Sequence, residues 1–176
     1  HLHRMSSYSQ IIAKALAVES GLSDEEVEFI YLFSELHDIG KIAVPDSILL
    51  KPGKLTAEEF EVMKTHTTKG RDMINLMINE FSLDGLYHIE MLKNIINYHH
   101  ERFDGKGYPH GFKGEEIPVF ARIILIADTF DAMTSTRPYR KGLPYEVAFD
   151  ELVQFSGTQF DPELVKLFIQ GMKKES

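Results

Sequence analysis

Residues 118–135 read PVFARIILIADTFDAMTS, and the fold class turns on them. The run from Ile123 through Ile124, Leu125 and Ile126 to Ala127 has the β-branched content of a buried strand, but the segment is too long for one, and length decides for a helix. As a helix it carries Asp128 inside an apolar surface, with Asp131 three residues on and on the same side. Pro138 ends it. Just upstream, Ile89, Leu92, Ile95, Ile96 and His99 fall at helical spacing, so a second apolar helix delivers His99 and His100 into the stretch 99–109, HHERFDGKGYP. There Gly105 and Gly107 supply backbone freedom, and Pro109 pushes Tyr108 towards an extended conformation.

Further out the pattern stays helical. From Met5, the residues Tyr8, Ile12, Ala15 and Leu16 form one amphipathic face that stops at Gly21, with His1 on the same face. Ser23 and Glu26 make a capping box for a helix through Phe29, Ile30, Tyr31, Leu32, Phe33 and Leu36, apolar almost all round and hence expected to be central. It ends in His37 and Asp38 before Gly40. Ile42 to Leu55 reads as a connector with one short turn. Thr56 and Glu59 make another capping box, and beyond it His66 shares a stripe with Gly70, Met73, Ile74 and Met77. Asp84 and Gly85 mark a turn. After Pro138 a helix runs from Pro144 to Phe155, and Asp161 with Pro162 caps a last one through Leu164, Phe168 and Met172. The fold class expected is all-α.

The chain has 176 residues, 43% of them hydrophobic, enough for one domain with a substantial core and short for two. Its formal net charge is −8, with charges of both signs mixed along it, which argues against a nucleic-acid polymer or an anionic membrane as partner. There is no cysteine, so thiolate ligands, disulfides and a cysteine nucleophile are excluded. No signal-peptide or membrane-spanning pattern is present, and a cytoplasmic location is the expectation. The start at His1 suggests a piece of a longer chain.

Helices thus bring His1, His37, Asp38, His66, His99, His100 and Asp128 to apolar faces. Unpaired buried carboxylates are costly, so Asp38 and Asp128 call for cations, and neighbouring ligands splayed around a helix suit two metals better than one. Imidazole and carboxylate without sulfur admit iron, manganese, zinc, cobalt or nickel.

The segments LHDIGKIAVPDSIL, HHERFDGKGYP and ARIILIADTFDAMTSTRPYR together resemble the HD-GYP subgroup of the HD superfamily of metal-dependent phosphohydrolases. The resemblance covers nearly the whole chain. It implies an all-helical HD bundle with a dinuclear metal site at its centre. The implied activity is a phosphodiesterase acting on cyclic dinucleotides, chiefly cyclic di-GMP, cut to linear pGpG or on to GMP, in bacterial signalling. It assigns His37, Asp38, His66, His99, His100 and Asp128 to the metals, with Asp38 bridging, and His1 of the HxxR pattern to the same centre. Iron or manganese is the metal it favours, with a third ion left open. Lys41 matches a lysine placed near the scissile phosphate. Arg137 and Arg140 match phosphate contacts, and Tyr108 offers a ring to a base or to packing. Asp131 is left between the ligand and a pairing with Arg137, while Glu101 and Asp104 are candidates to orient the ligand histidines. Protein partners through the GYP loop and a homodimer are compatible with the resemblance. The competing readings are a module that binds cyclic di-GMP without turnover and a hydrolase for a nucleotide monoester or a mixed cyclic dinucleotide; the long motif disfavours the monoester. His3, His88 and His110 match no ligand position and are expected at the surface or in loops.

Overall fold

The structure is a computed structural model and describes residues 2–82, 88–136 and 140–175. Among these residues it is all-α, with no strand; isolated bridges join Asp104 to Lys113 and Ser156 to Phe160. The expected turn at Asp84 and Gly85 and the stop at Pro138 lie outside the described residues.

Helices α1 (Leu2–Ser20) and α2 (Asp24–Ser34) pack on each other, and α2 opens with the expected box between Ser23 and Glu26. A 3-10 turn (Ile39–Ala43) and the short α3 (Asp46–Leu49) form the connector. Then come α4 (Ala57–Lys64), capped by Thr56 with Glu59, and α5 (His66–Phe81). The chain continues through α6 (Ile89–Tyr98), α7 (Val119–Thr134), α8 (Tyr145–Gln154) and α9 (Pro162–Glu175). The Asp161 carboxylate accepts the first free amides of α9, from Glu163 and Leu164, as an N-cap should.

The central helix is α7. Ala121, Ile123, Ile124, Ile126, Ala127 and Phe130 are wholly buried, and α1, α6, α8 and α9 cover them. Phe130 is the hub, edge-on to Tyr8 of α1 and Phe168 of α9 and stacked on Phe149 of α8. The expectation that α2 is central is corrected: it buries Val27, Ile30 and Ser34, but Leu32 is 52% exposed. The stripe on α5 is likewise shifted. Gly70, Ile74 and Ile78 face inward at a strict four-residue interval from His66, whereas Met77 is exposed.

One close crossing sets the site. The 3-10 turn lies against the start of α5 so tightly that a Cβ on Gly40 would fall 1.8 Å from the His66 carbonyl oxygen and 2.6 Å from the Gly70 nitrogen. A Cβ on Gly70 would meet Ile96 of α6 at 2.7 Å. The pair of glycines therefore lets the backbone after Asp38 touch the backbone at His66, which brings two distant polar side chains together.

Candidate metal centre

Three imidazoles are hung on the ends of helices. The last carbonyls of a helix have no intrahelical partner, and here ring Nδ1–H groups satisfy them. His37, just past α2, donates from Nδ1 to the Ser34 carbonyl at 2.6 Å; His66, just past α4, donates to that of Met63 at 2.7 Å. His99, ending α6, reaches the carbonyls of Ile95 and Ile96, each at 3.0 Å. A carbonyl only accepts, so Nδ1 carries the proton and each Nε2 is turned inward. All three histidines are buried.

Asp38 occupies the middle. Its Oδ2 lies 3.3 Å from His37 Nε2 and 2.6 Å from Lys41 Nζ, and its Oδ1 lies 3.3 Å from His66 Nε2 and 3.6 Å from His99 Nε2. The His66 and His99 Nε2 atoms are 3.4 Å apart, and ligand atoms of Asp38, His66, His99 and His100 all fall within 4.8 Å of one another. Asp128 of α7 joins through His37, with Oδ1 3.9 Å from its Nε2.

These contacts test whether the centre suits a cation. His37 Nε2 and Asp38 Oδ1 are buried with no hydrogen-bond partner. Each inward Nε2 must carry either a second proton or a lone pair, and several adjacent imidazolium ions around one carboxylate would repel one another. Burial drives His100 well below the ordinary histidine range, helped by the neighbouring imidazoles, and lowers His99 despite its contact with Asp38. His37 is raised: burial opposes its charge, but the contacts with Asp38 and Asp128 outweigh it. Burial also opposes ionisation of Asp38, yet contacts with His37, His66 and His99 hold it far below the usual carboxylate range. The result is an ionised oxygen donor among imidazole nitrogens, of which those of His99 and His100 are held towards the neutral form, at spacings close to the ~3.0–3.4 Å edges of a coordination shell with metal–ligand bonds of about 2.1 Å. The donor set fits a divalent metal.

The other expected residues are distributed around this centre. Lys41, 40% exposed, pairs with Asp38 and leaves the cluster towards solvent, and the Asp128 side chain is 30% exposed. The Tyr108 ring stacks on His100 with centroids 4.8 Å apart; burial, with the charges of Asp38 and Asp128, raises its pKa, so the hydroxyl stays protonated. Arg140 is exposed and its guanidinium donates to the Ala132 carbonyl in the last turn of α7. His1 and Arg137 lie outside the described residues.

Three expectations are corrected. Asp131 does not face a ligand site: it is wholly buried and takes Arg4 Nε at 3.0 Å and the Ser135 hydroxyl at 3.2 Å, tying α1 to the end of α7. Glu101 and Asp104 do not orient His37, His66 or His99, whose ring protons are already held by helix-end carbonyls. The buried Glu101 carboxylate instead accepts backbone N–H groups of His110, Gly111 and Phe112 at 2.6, 3.2 and 3.1 Å, folding the loop back on itself. Asp104 pairs with Arg102. His88 lies in the turn that opens α6, as the loop alternative had it, but not at the surface: it is buried against Phe29 with ring centroids 3.9 Å apart.

Sequence reasoning missed the Gly40–Gly70 crossing, although two glycines each within four residues of a proposed ligand were its signal. It also missed that Gly107 must be glycine. A Cβ there would stand 2.3 Å from the Arg102 nitrogen and 2.5 Å from the His100 carbonyl oxygen, so the loop seats Tyr108 by lying directly on the backbone after the histidines.

A family model described as HD domain matches residues 1–164. The chain is 44% identical over 170 residues to the cyclic di-GMP phosphodiesterase response regulator RpfG of Xanthomonas campestris pv. campestris, covering 97% of this chain and 42% of that protein. It is 43% identical over 173 residues to a cyclic di-GMP phosphodiesterase of Thermotoga maritima, covering 98% of this chain and 45% of that one. It thus spans less than half the length of these curated relatives. Among solved structures, a cyclic GMP-AMP-specific phosphodiesterase from V. cholerae superposes with a TM-score of 0.69 at 23% identity, covering 98% of this chain and 44% of that one, which shows a shared fold.

Proposed function

The chain belongs to the HD-domain family and carries the motifs of its HD-GYP branch, and from that premise we propose that it is a metal-dependent phosphodiesterase that opens cyclic di-GMP to linear pGpG in bacterial second-messenger signalling. One observation carries the reading: buried ring nitrogens and carboxylate oxygens converge on Asp38, and two of them lack any hydrogen-bond partner.

The two oxygens of Asp38 face different groups, His37 with Asp128 on one side and His66 with His99 on the other, with His100 beside the latter pair. That division supports two ions with Asp38 between them; iron or manganese heads the list on family resemblance, and a third ion would need His1. Bound there, divalent cations supply Lewis acidity, providing a hydrolytic nucleophile near neutral pH and neutralising phosphoryl charge. The chain's own groups complete the task. Lys41 holds a positive charge at the rim of the centre, where it would meet charge developing on the phosphate or leaving oxygen. Arg140 would bind a phosphate with Arg137, and Tyr108 would pack against a base. The reading treats residues 1–176 as one HD-GYP-type domain working in the cytoplasm, with the GYP loop and a homodimer contact as its surfaces for protein partners. Among the described residues no helix is long and apolar enough to cross a membrane.

The cyclic GMP-AMP-specific enzyme of like fold favours a second reading, hydrolysis of a mixed cyclic dinucleotide, so both substrates belong in one assay. Protein purified without oxygen is analysed for metals and then incubated with cyclic di-GMP and with 3′3′-cyclic GMP-AMP. At least two metals per chain and release of a linear dinucleotide are expected. One metal or none after reconstitution, or tight binding without cleavage by the metal-loaded chain, would overturn the dinuclear hydrolase.

A further inference from the structure

Beside the metal centre, helix α4 holds an aromatic ring out into solvent. Phe60 is 46% exposed and meets Tyr108 edge-on with centroids 6.2 Å apart, while Tyr108 stacks on His100. Lys64, one turn further along α4, stands over both rings, 5.6 Å from the centroid of Phe60 and 5.7 Å from that of Tyr108. Glu61 pairs with its ammonium at 2.6 Å from the exposed side. Phe60, Lys64 and Tyr108 border a cleft of about 300 Å³ that also touches His100, Arg102 and Gln159. That volume is at the lower end for small-ligand sites, suited to one nucleoside rather than to both halves of a dinucleotide.

An exposed phenylalanine has a reason to stay out of the core when its face is used. The exposed Phe60 ring offers a stacking face, the Lys64 ammonium beside it offers a hydrogen-bond donor, and purines present the matching surface. Guanine places two acceptors, N7 and O6, along one edge, whereas adenine offers N7 beside an amino donor, which a lysine does not satisfy. The cleft starts at His100, so a nucleotide whose phosphate sits in the centre would have its base within reach of it.

We propose that Phe60 and Lys64 form a base subsite that selects guanine in the dinucleotide, Phe60 by stacking and Lys64 by donating to N7 and O6. The proposal rests on the dinucleotide reading above and extends it to specificity. Neither residue is among the proposed metal ligands, so their loss is separable from loss of metal.

The test uses the metal-loaded chain with Phe60→Leu, Phe60→Tyr, Lys64→Ala and the parent, each checked for parental metal content. Phe60→Leu keeps an apolar side chain and should raise KM for cyclic di-GMP about ten-fold or more with kcat little changed, the loss expected of one stacked base. Phe60→Tyr should restore the parental KM. Calorimetric binding of cyclic di-GMP and cyclic di-AMP should show Lys64→Ala losing affinity for the guanine ligand several-fold more than for the adenine one. Unchanged KM in Phe60→Leu, or equal losses for both ligands in Lys64→Ala, would overturn the subsite. A parent that binds cyclic di-GMP in a Phe60-dependent way without cleaving it would sink the hydrolase and keep the subsite. A parent that binds neither ligand would sink both.

Discussion

At the scale of single residues, Asp38 and Lys41 are joined by one ion pair yet should fail differently. Asp38→Ala removes the one side chain among the described residues that faces both halves of the ligand cluster, so metal content and turnover are expected to fall together, measured by elemental analysis and product release on the same sample. Retention of full metal would remove Asp38 from the middle of the site. Lys41→Ala leaves every imidazole in place. If its charge serves only the transition state, kcat should fall by about 10–10³-fold with a smaller change in substrate binding, and metal content should hold. Unaltered single-turnover rates would end its catalytic role. The residue types at these positions were legible in the sequence because burial of histidine and aspartate on apolar faces is a local pattern. That Glu101 would bond to positions 110–112 and Asp131 to Arg4 was not, since those partners lie nine or more residues away.

At the scale of elements, the crossing of the 3-10 turn over α5 is the joint on which the centre depends. Gly40→Ala places a methyl group where the His66 carbonyl already stands, so the two backbones must separate. Thermal stability should drop sharply and metal binding should be lost even though no ligand has changed; a Gly40→Ala protein with parental melting and metal content would show that the crossing yields freely. By contrast, Thr56→Ala removes only the cap of α4. It should cost about 1 kcal/mol in urea unfolding and leave metal content alone. The capping boxes at Ser23 and Thr56 and the long helix α7 could be read in advance because each is decided within a few neighbouring residues. The break between α4 and α5 at Thr65 and the outward turn of Leu32 could not, because an apolar count does not say which face a neighbouring helix will cover.

At the scale of the whole molecule, the acidic chain gathers its candidate metal ligands at one locus, so ligand charge would be met locally against a net charge of −8. The ligands proposed for that locus come from the ends of α2 and α6, the start of α5 and the body of α7, stretches far apart along the sequence. A chelator should therefore lower the melting temperature, because an ion held at 100 times its dissociation constant stabilises the folded chain by about 2.7 kcal/mol. An unchanged melting curve after complete demetallation would show that the scaffold stands without it. The helix-end carbonyls that hold the ring protons are the feature with the longest reach. Once the ion is gone, inward nitrogens and oxygens face one another with nothing between them, and relief comes most cheaply by letting those helix ends fray. Amides of the 3-10 turn and of the first residues after His100 should then exchange with deuterium ahead of α7, and an opened chain is what a protease cuts. Metal supply would then govern how long each copy survives in the cell as well as how fast it works.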